Sequence, residues 1–384
     1  MSMYPQAMGP IPEDTARIAR AANPKGTLAM WLRDELGAIY TDEEFADLYP
    51  VRGQPALAPW RLALVLLMQY VEDLTDRQAA EAVRSRLDWK YLLGLELTDP
   101  GFDASVLSEF RQRLVEQGAE SRLLDKLLVV CRQRGWLKAG GKMRTDATHV
   151  LAAVRSLQHL ETVGETVRAV LEELAPVASD WLVSWMPQEW FKRYEGRMDS
   201  RRLPKQEAQR RLLAEQIGRD GVQLLRALAD AQVPPAIREL ESVQVLQQVW
   251  PQYYEEREGQ VYWRDGPAEG AQQSIVSPYD PDARLAQKRD TAWCGYKVHL
   301  TETCEADLPE LIVQVKTTLA PRPDVKETLG LQQELARRQL LPEEHLLDGG
   351  YLESEVLVQQ PPGLRIVGPV PPDTRLPSTR GQRL

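Results

Sequence analysis

Two acidic residues of this chain occupy the same local setting. Asp146 closes the run Met143-Arg144-Thr145-Asp146, and Asp348 closes Leu346-Leu347-Asp348 ahead of Gly349-Gly350-Tyr351. Each stands at or near the end of a short predicted strand, where α/β sheets present their chemistry. Aspartates on adjacent strands bring carboxylate oxygens within a few ångström, enough to bridge two divalent cations spaced ~3.5–4 Å apart for in-line attack on a phosphodiester. The glycines after Asp348 leave room for backbone or substrate. The plainer alternative is that Asp146 caps a turn and Asp348 opens a loop, the commoner fate of a strand-end Asp followed by Gly-Gly. Neither motif decides alone.

The elements that must position these residues fall into regimes. Residues 1–52 form an N-terminal segment of mixed composition, with one amphipathic helix expected over Leu28–Ile39. Over residues 53–138 apolar residues recur three or four apart, in Trp60–Val71, Ala79–Val83, Tyr91–Leu95 and Val106–Val115, which predicts a helical bundle. Thr75 and Asp103 stand where N-caps belong, and Asp99-Pro100-Gly101 reads as a turn. Residues 139–154 change to a glycine pair followed by a Thr- and Val-rich strand pattern. Residues 155–260 return to helical periodicity as an insertion, clearest in Leu157–Leu174 and Lys205–Leu228. Over residues 261–370, β-rich Gln260–Arg264, Tyr296–Thr303 and Leu311–Thr318 precede helical Val325–Gln339 and the short run His345–Leu347. Strand, strand, helix, strand predicts an α/β core.

Composition bounds the function. A length of 384 residues allows two or three domains, and 43% hydrophobic with 27% charged residues is ordinary for a folded soluble chain. The three cysteines, Cys131, Cys294 and Cys304, are too few and too scattered for a disulfide framework or a zinc site. The run Leu62–Met68 is far short of the ~20 residues that span a bilayer, and no signal peptide pattern opens the chain. A cytoplasmic protein without a membrane partner is expected. The net charge of −9 argues against non-specific coating of DNA, so any DNA contact must use local basic patches.

Four segments in order resemble the DDE transposases of bacterial insertion sequences, the branch with a helical N-terminal transposase domain. They are the helical stretch Gly53–Leu114, with Trp89-Lys90-Tyr91-Leu92-Leu93-Gly94-Leu95 and Ser108-Glu109-Phe110-Arg111-Gln112-Arg113-Leu114; the strand Thr145–Val150; Tyr279-Asp280-Pro281-Asp282-Ala283-Arg284 through Gly295-Tyr296-Lys297-Val298-His299-Leu300; and Leu347–Tyr351. The resemblance implies a ribonuclease-H-like core, made of residues 139–154 and 261–370 and interrupted by the insertion. It implies catalytic, metal-holding roles for Asp146 on the first core strand and Asp348 on the fourth. It further implies Mg²⁺ or Mn²⁺ in a two-metal site, DNA strand cleavage and transfer, and as partners the terminal inverted repeats, target DNA and further copies of the chain.

Lys288, Arg289, Tyr296, Lys297 and His299 follow the family pattern, and strand alternation puts Lys297 and His299 on one face that can meet DNA phosphate. A solvated strand edge protected by lysine fits the pattern equally well. His149 and His299 are the histidines with metal-ligating potential, though lone histidines are usually structural. A basic segment Lys192–Arg211, holding Arg193, Arg197, Arg201 and Arg202, offers a second DNA contact, against the common alternative of a solvated helix face. In the helical domain Arg84, Arg86, Lys90, Arg111 and Arg113 suit either a helix-turn-helix-like reader or an ordinary bundle.

A DDE enzyme also needs a third carboxylate, normally a Glu on a later helix. After Asp348 the acids are Glu353, Glu355 and Asp373, of which Glu353 and Glu355 are expected to cap or solvate the next helix. Residues 371–384, rich in Pro, Arg and Ser/Thr, are expected to be a disordered tail. The expectation is therefore a core truncated before its third acid, binding DNA but impaired in transposition, with its status as an enzyme open. The alternative is a non-catalytic DNA-binding remnant that represses or partners an intact transposase.

Overall fold

The computed structural model describes residues 2–369 apart from 155–156, 200, 231–232, 265, 269–272 and 289; the tail 371–384 and Arg289 lie outside the described residues. Two compact units, 1–138 and 139–384, divide the chain. It mixes helix and sheet, and the first unit is helical.

In the first unit, α1 (Glu13–Ala22) and α2 (Leu28–Trp31) lead through a π-helical turn (Leu32–Leu36) and a 3-10 helix (Asp42–Leu48) to α3 (Pro59–Val71), α4 (Asp76–Ser85), α5 (Leu87–Leu93), α6 (Ser105–Glu116) and α7 (Ser121–Gln133). Helix α3 starts with Pro59 at its first turn, where the missing N–H costs nothing, and buries most of its circumference. Around it pack Phe45, Leu48, Val83, Trp89, Leu92, Leu107, Phe110 and Leu114. Residues 1–52 therefore share a core with 53–114 rather than standing apart. Thr75 caps α4 as expected, its Oγ1 accepting the Gln78 N–H while Gln78 Oε1 accepts the Thr75 N–H at 2.8 Å. Asp103 accepts the Ser105 N–H at 2.9 Å, one residue ahead of the position where α6 is capped.

The cations singled out for a DNA reader in this unit are engaged within it. Arg111 makes a two-pronged bond to Asp76, at 2.9 and 2.6 Å. Arg86 bridges Glu72 and Asp88, and buried Lys90 donates to the Asp99 carbonyl at 2.8 Å. Arg84 reaches Glu81 and the Pro100 carbonyl, and Arg113 lies over Tyr49. These pairs support the bundle reading over the reader.

The second unit opens with β1 (Lys142–Leu151). An insertion follows: α8 (His159–Trp185), bent near Pro176 and Ala178, then α9 (Gln188–Tyr194), α10 (Glu207–Leu228), α11 (Pro235–Arg238) and α12 (Glu241–Tyr253). Val163, Val167, Val170 and Leu174 recur at helical spacing and are fully buried against α10 and α12, which gives the insertion its own core. Strands β2 (Tyr254–Arg257) and β3 (Gln260–Trp263) pair only with each other among the described residues, and their Tyr254, Val261 and Trp263 join that core. This corrects the assignment of Gln260–Arg264 to the α/β core, because its apolar face belongs to the insertion.

The main sheet resumes with β4 (Arg284–Lys288), β5 (Thr291–Thr303), β6 (Ile312–Leu319), β7 (Glu344–Leu347) and β8 (Arg365–Val367), in the order β4-β5-β1-β7-β8 with β6 also on β5. The long β5 carries β4 on its first half and β6 on its second, both antiparallel, and β1 antiparallel on its other edge. Strands β1, β7 and β8 run parallel. Between β6 and β7 lies α13 (Val325–Arg337), whose Leu331 packs on Leu347, Tyr351 and Ala147; α14 (Ser354–Gln359) connects β7 to β8. Among the described residues no helix is long and apolar enough to cross a membrane.

At Gly295 the backbone sits at φ +152°, where β5 exchanges one partner strand for the other, and a Cβ there would lie 2.1 Å from the Val150 carbonyl oxygen. Only glycine fits that approach. Gly295→Ala is expected to cost at least about 1–3 kcal/mol and lower the thermal unfolding temperature; an unchanged melting temperature would contradict this packing.

Candidate active site

Strands β1 and β7 are adjacent and parallel, with Thr145 opposite Leu347. Continuing that register by one residue sets Asp146 opposite Asp348, across the roughly 4.8 Å that separates neighbouring strands. Both side chains are exposed. Asp348 directly follows β7 and caps a short 3-10 turn (Gly349–Tyr351), its Oδ1 accepting the Gly350 N–H at 2.8 Å. Asp146 Oδ1 accepts the neighbouring Ala147 N–H at 2.7 Å. The turn-capping alternative is thus real for Asp348, and it engages one of the two carboxylate oxygens.

A buried line of hydrogen bonds fixes this register. His345 Nε2 lies 2.7 Å from Thr145 Oγ1, Thr145 Oγ1 lies 2.7 Å from Thr301 Oγ1, and Thr301 bonds to Gln314 Oε1 at 3.3 Å. The amide oxygen of Gln314 can only accept, so Thr301 donates to it, Thr145 donates to Thr301, and His345 must donate from Nε2. Gln314 Nε2 then donates to the Leu331 carbonyl of α13 at 3.3 Å. The line crosses β7, β1, β5 and β6 one residue below Asp146. Among the described residues His345 Nδ1 is buried with no partner, tolerable for a bare ring nitrogen and costly for a charged N–H. Burial accordingly pushes the His345 pKa down to about 4.

A second buried pair lies below the turn. Tyr351 is fully buried, its hydroxyl 2.7 Å from His299 Nδ1, while Thr328 of α13 donates to the Tyr351 carbonyl at 2.9 Å. Burial raises the Tyr351 phenol well above its usual range, and the charges of Asp324, Asp146, Asp348 and Glu327 raise it further. Asp324, which the sequence reading passed over, also flanks Gly350: a Cβ there would lie 3.3 Å from Asp324 Oδ2 and 3.1 Å from Asp348 Oδ1. Its own position is held by Lys297, whose Nζ donates to Asp324 Oδ1 at 2.8 Å and to the Arg322 carbonyl at 2.7 Å. The signal that could have found Asp324 is its place at the start of a helix that must lie on the sheet.

Several expected DNA contacts are placed elsewhere. His299 is 0% exposed, because the face it shares with Lys297 is the one α13 covers, so it holds Tyr351 instead of meeting phosphate. Lys297 is neutralised by Asp324. Arg193 is drawn into the insertion by buried Asp220. Lys288, Arg197, Arg201 and Arg202 are exposed, the last within 4.0 Å of Glu195. Arg210 and Arg211 line a cavity of about 400 Å³ with His159, Glu207 and Trp263. His149 packs on Trp293, and Glu353 and Glu355 lie at the start of α14 as expected. Among the described residues no group of three His, Cys, Asp or Glu side chains is arranged to hold a metal ion. The donor chemistry of the Asp pair, hard oxygens on neighbouring strands, still suits Mg²⁺ or Mn²⁺, which commonly take one or two carboxylates with water and phosphate.

The sign of the His345 shift sets a pH dependence. Its folded pKa lies below the ordinary 6.5, so its contribution to stability is complete above pH 6.5 and is lost as pH falls toward about 4, up to about 3 kcal/mol in all. The expected result is an imidazole NMR signal for His345 that stays neutral at pH 5.5, with an Nε2-bound proton; protonation near 6.5 would contradict the buried line.

Residues 21–113 match the family model described as Transposase domain (DUF772), a segment that lies within the first unit and begins inside residues 1–52. No curated protein and no solved structure matches the chain. The match supports a transposase family, and with it DNA as a partner.

Proposed function

We propose that the chain is a DNA transposase of the insertion-sequence type, with a ribonuclease-H-like core in which Asp146 and Asp348 form the reaction centre. The observation that supports this reading is that Thr145 and Leu347, the residues just before the two aspartates, pair in register on parallel β1 and β7, in a chain whose first unit matches a transposase domain. The sheet supports it as well. Leaving aside β4, which extends the β5 hairpin, the order β6-β5-β1-β7-β8 has its first three strands antiparallel and its last three parallel. The DDE resemblance implies the first acid on the first core strand and the second on the fourth; Asp146 lies on β1, and Asp348 directly follows β7.

The residues divide the work. Asp146, in the middle of β1 and not at the strand end expected for it, and Asp348, directly after β7, present exposed carboxylates, and the Gly350 N–H orients Asp348. His345, Thr145, Thr301 and Gln314 hold the two strands in step. A Mg²⁺ or Mn²⁺ pair at the carboxylates would activate the attacking water or 3′-hydroxyl and stabilise the leaving oxygen. Exposed Lys288, Arg197, Arg201 and Arg202 supply phosphate contacts, consistent with an acidic chain that binds DNA through local patches.

A second reading, a DNA-binding chain that does not cut, is favoured by one observation: among the described residues no third acid, His or Cys completes a metal-holding group with the pair. One experiment separates the two. Titration calorimetry with Mn²⁺ is expected to show binding that Asp146→Asn or Asp348→Asn weakens at least about tenfold. Supercoiled plasmid incubated with Mn²⁺ and the wild-type chain is expected to be nicked, and not by Asp146→Asn. DNA shifted in a gel but never nicked favours the second reading, and Mn²⁺ affinity indifferent to both variants removes the pair from the chemistry.

A further inference from the structure

Beside the aspartates lies a cleft of about 260 Å³ that the two-carboxylate reading does not use. It begins at Ala147 and Thr148, directly after Asp146, and includes Asp324, the acid that also flanks Asp348. Its floor is aromatic: Trp293 of β5 and His149 of β1 pack with ring centroids 5.0 Å apart, inclined by 35°. Small apolar residues, Ala286, Ala320 and Pro321, form its sides. Lys288 stands exposed at its mouth. Trp293 is only 8% exposed, and its indole N–H is buried with no acceptor among the described residues, an expensive state for a donor that usually finds a partner when buried.

We infer that this cleft is a subsite for one nucleotide of single-stranded or strand-end DNA, the base resting on Trp293 and His149 and the phosphate meeting Lys288. The choice of DNA rests on the transposase reading above; the shape argument is separate. A cavity below the ~300–1,000 Å³ typical of sites that engulf a larger ligand, with an aromatic floor and small side walls, admits a single planar ring system. Stacking of bases on aromatic side chains is sequence-tolerant because every base offers a π-face. A base inside a duplex has both faces covered by its neighbours, so the nucleotide held here is at a strand end or turned out of the stack. Lys297 cannot supply the phosphate contact, since Asp324 already neutralises it, whereas the Lys288 ammonium at the mouth is exposed. The subsite thus anchors a strand along β1 directly after Asp146.

The test uses the full chain with two probes: a short fluorescein-labelled single-stranded DNA, and the same strand carrying 2-aminopurine near its 3′ end. Binding is expected to quench 2-aminopurine, as stacking on an aromatic ring does. Trp293→Leu is expected to weaken affinity roughly five- to hundredfold, and Trp293→Phe to restore most of it. Lys288→Ala is expected to weaken binding and reduce its salt dependence by about one phosphate contact. Failure of the wild-type chain to bind the strand, unquenched 2-aminopurine in the complex, or wild-type affinity in a folded Trp293→Leu variant would overturn the inference. Should Trp293→Leu not fold, the quenching and Lys288→Ala decide it. A chain that nicks plasmid through Asp146 yet binds indifferently to Trp293 loses the subsite alone; one that quenches through Trp293 but never nicks loses the catalytic reading alone.

Discussion

The hydrogen-bonded line from His345 through Thr145 and Thr301 to Gln314 is the constraint on which the candidate site depends. A strand slipped by one residue turns every side chain to the opposite face, so register is the property a two-strand carboxylate site can least afford to lose. Backbone ladder bonds repeat along a strand and do not by themselves choose a register. A chain of polar side chains with one allowed direction of donation does, because each hydroxyl has one proton to give and the line ends on an oxygen that can only accept. It also reaches α13 through Gln314, so the helix that covers one face is tied to the same reference point. The cost is a buried imidazole that must stay neutral, with one nitrogen that has no partner among the described residues.

The Tyr279–Arg284 segment does for the insertion what this line does for the sheet. Tyr279 reaches back to α8, where its hydroxyl meets the buried pair Glu165 and Arg168. The next residue, Asp280, accepts from Tyr296 of β5 and from the Ala283 N–H. Burial alone would raise Glu165, but Arg168, Tyr279 and the Met198 N–H together hold it below the usual carboxylate range. A buried ion pair of this kind is weak evidence of added stability; its contribution is geometric, joining an independently packed helical insertion to the strand that carries Trp293, Lys297 and His299.

What could be read from the residues follows from what periodicity encodes. Strand β1, the Thr75 cap and the strand-helix-strand order after β5 were legible because alternation and 3.6-residue spacing report which side of an element is apolar. The same alternation put Lys297 and His299 on one face but could not say that α13 would cover it, so the sign of their exposure came out wrong. Gln260–Trp263 reads as a strand whichever sheet it joins, and only the packing of Trp263 beside Tyr253 and Tyr254 assigns it to the insertion. Asp324 looks like a helix cap, yet its side chain caps nothing and instead holds Lys297. Ion pairs formed by residues far apart in sequence leave no periodic trace. The transposase-domain match begins within residues 1–52, in keeping with the shared core of that segment and α3.

The central claim is that Asp146 and Asp348 are brought together to act on one ligand. Anomalous diffraction from a crystal of the chain soaked in Mn²⁺ tests this most directly. The account expects a peak within coordination distance of an oxygen from each aspartate, and its disappearance in Asp146→Asn. Ordered carboxylates with no peak between them, or a peak held by other residues alone, would contradict it.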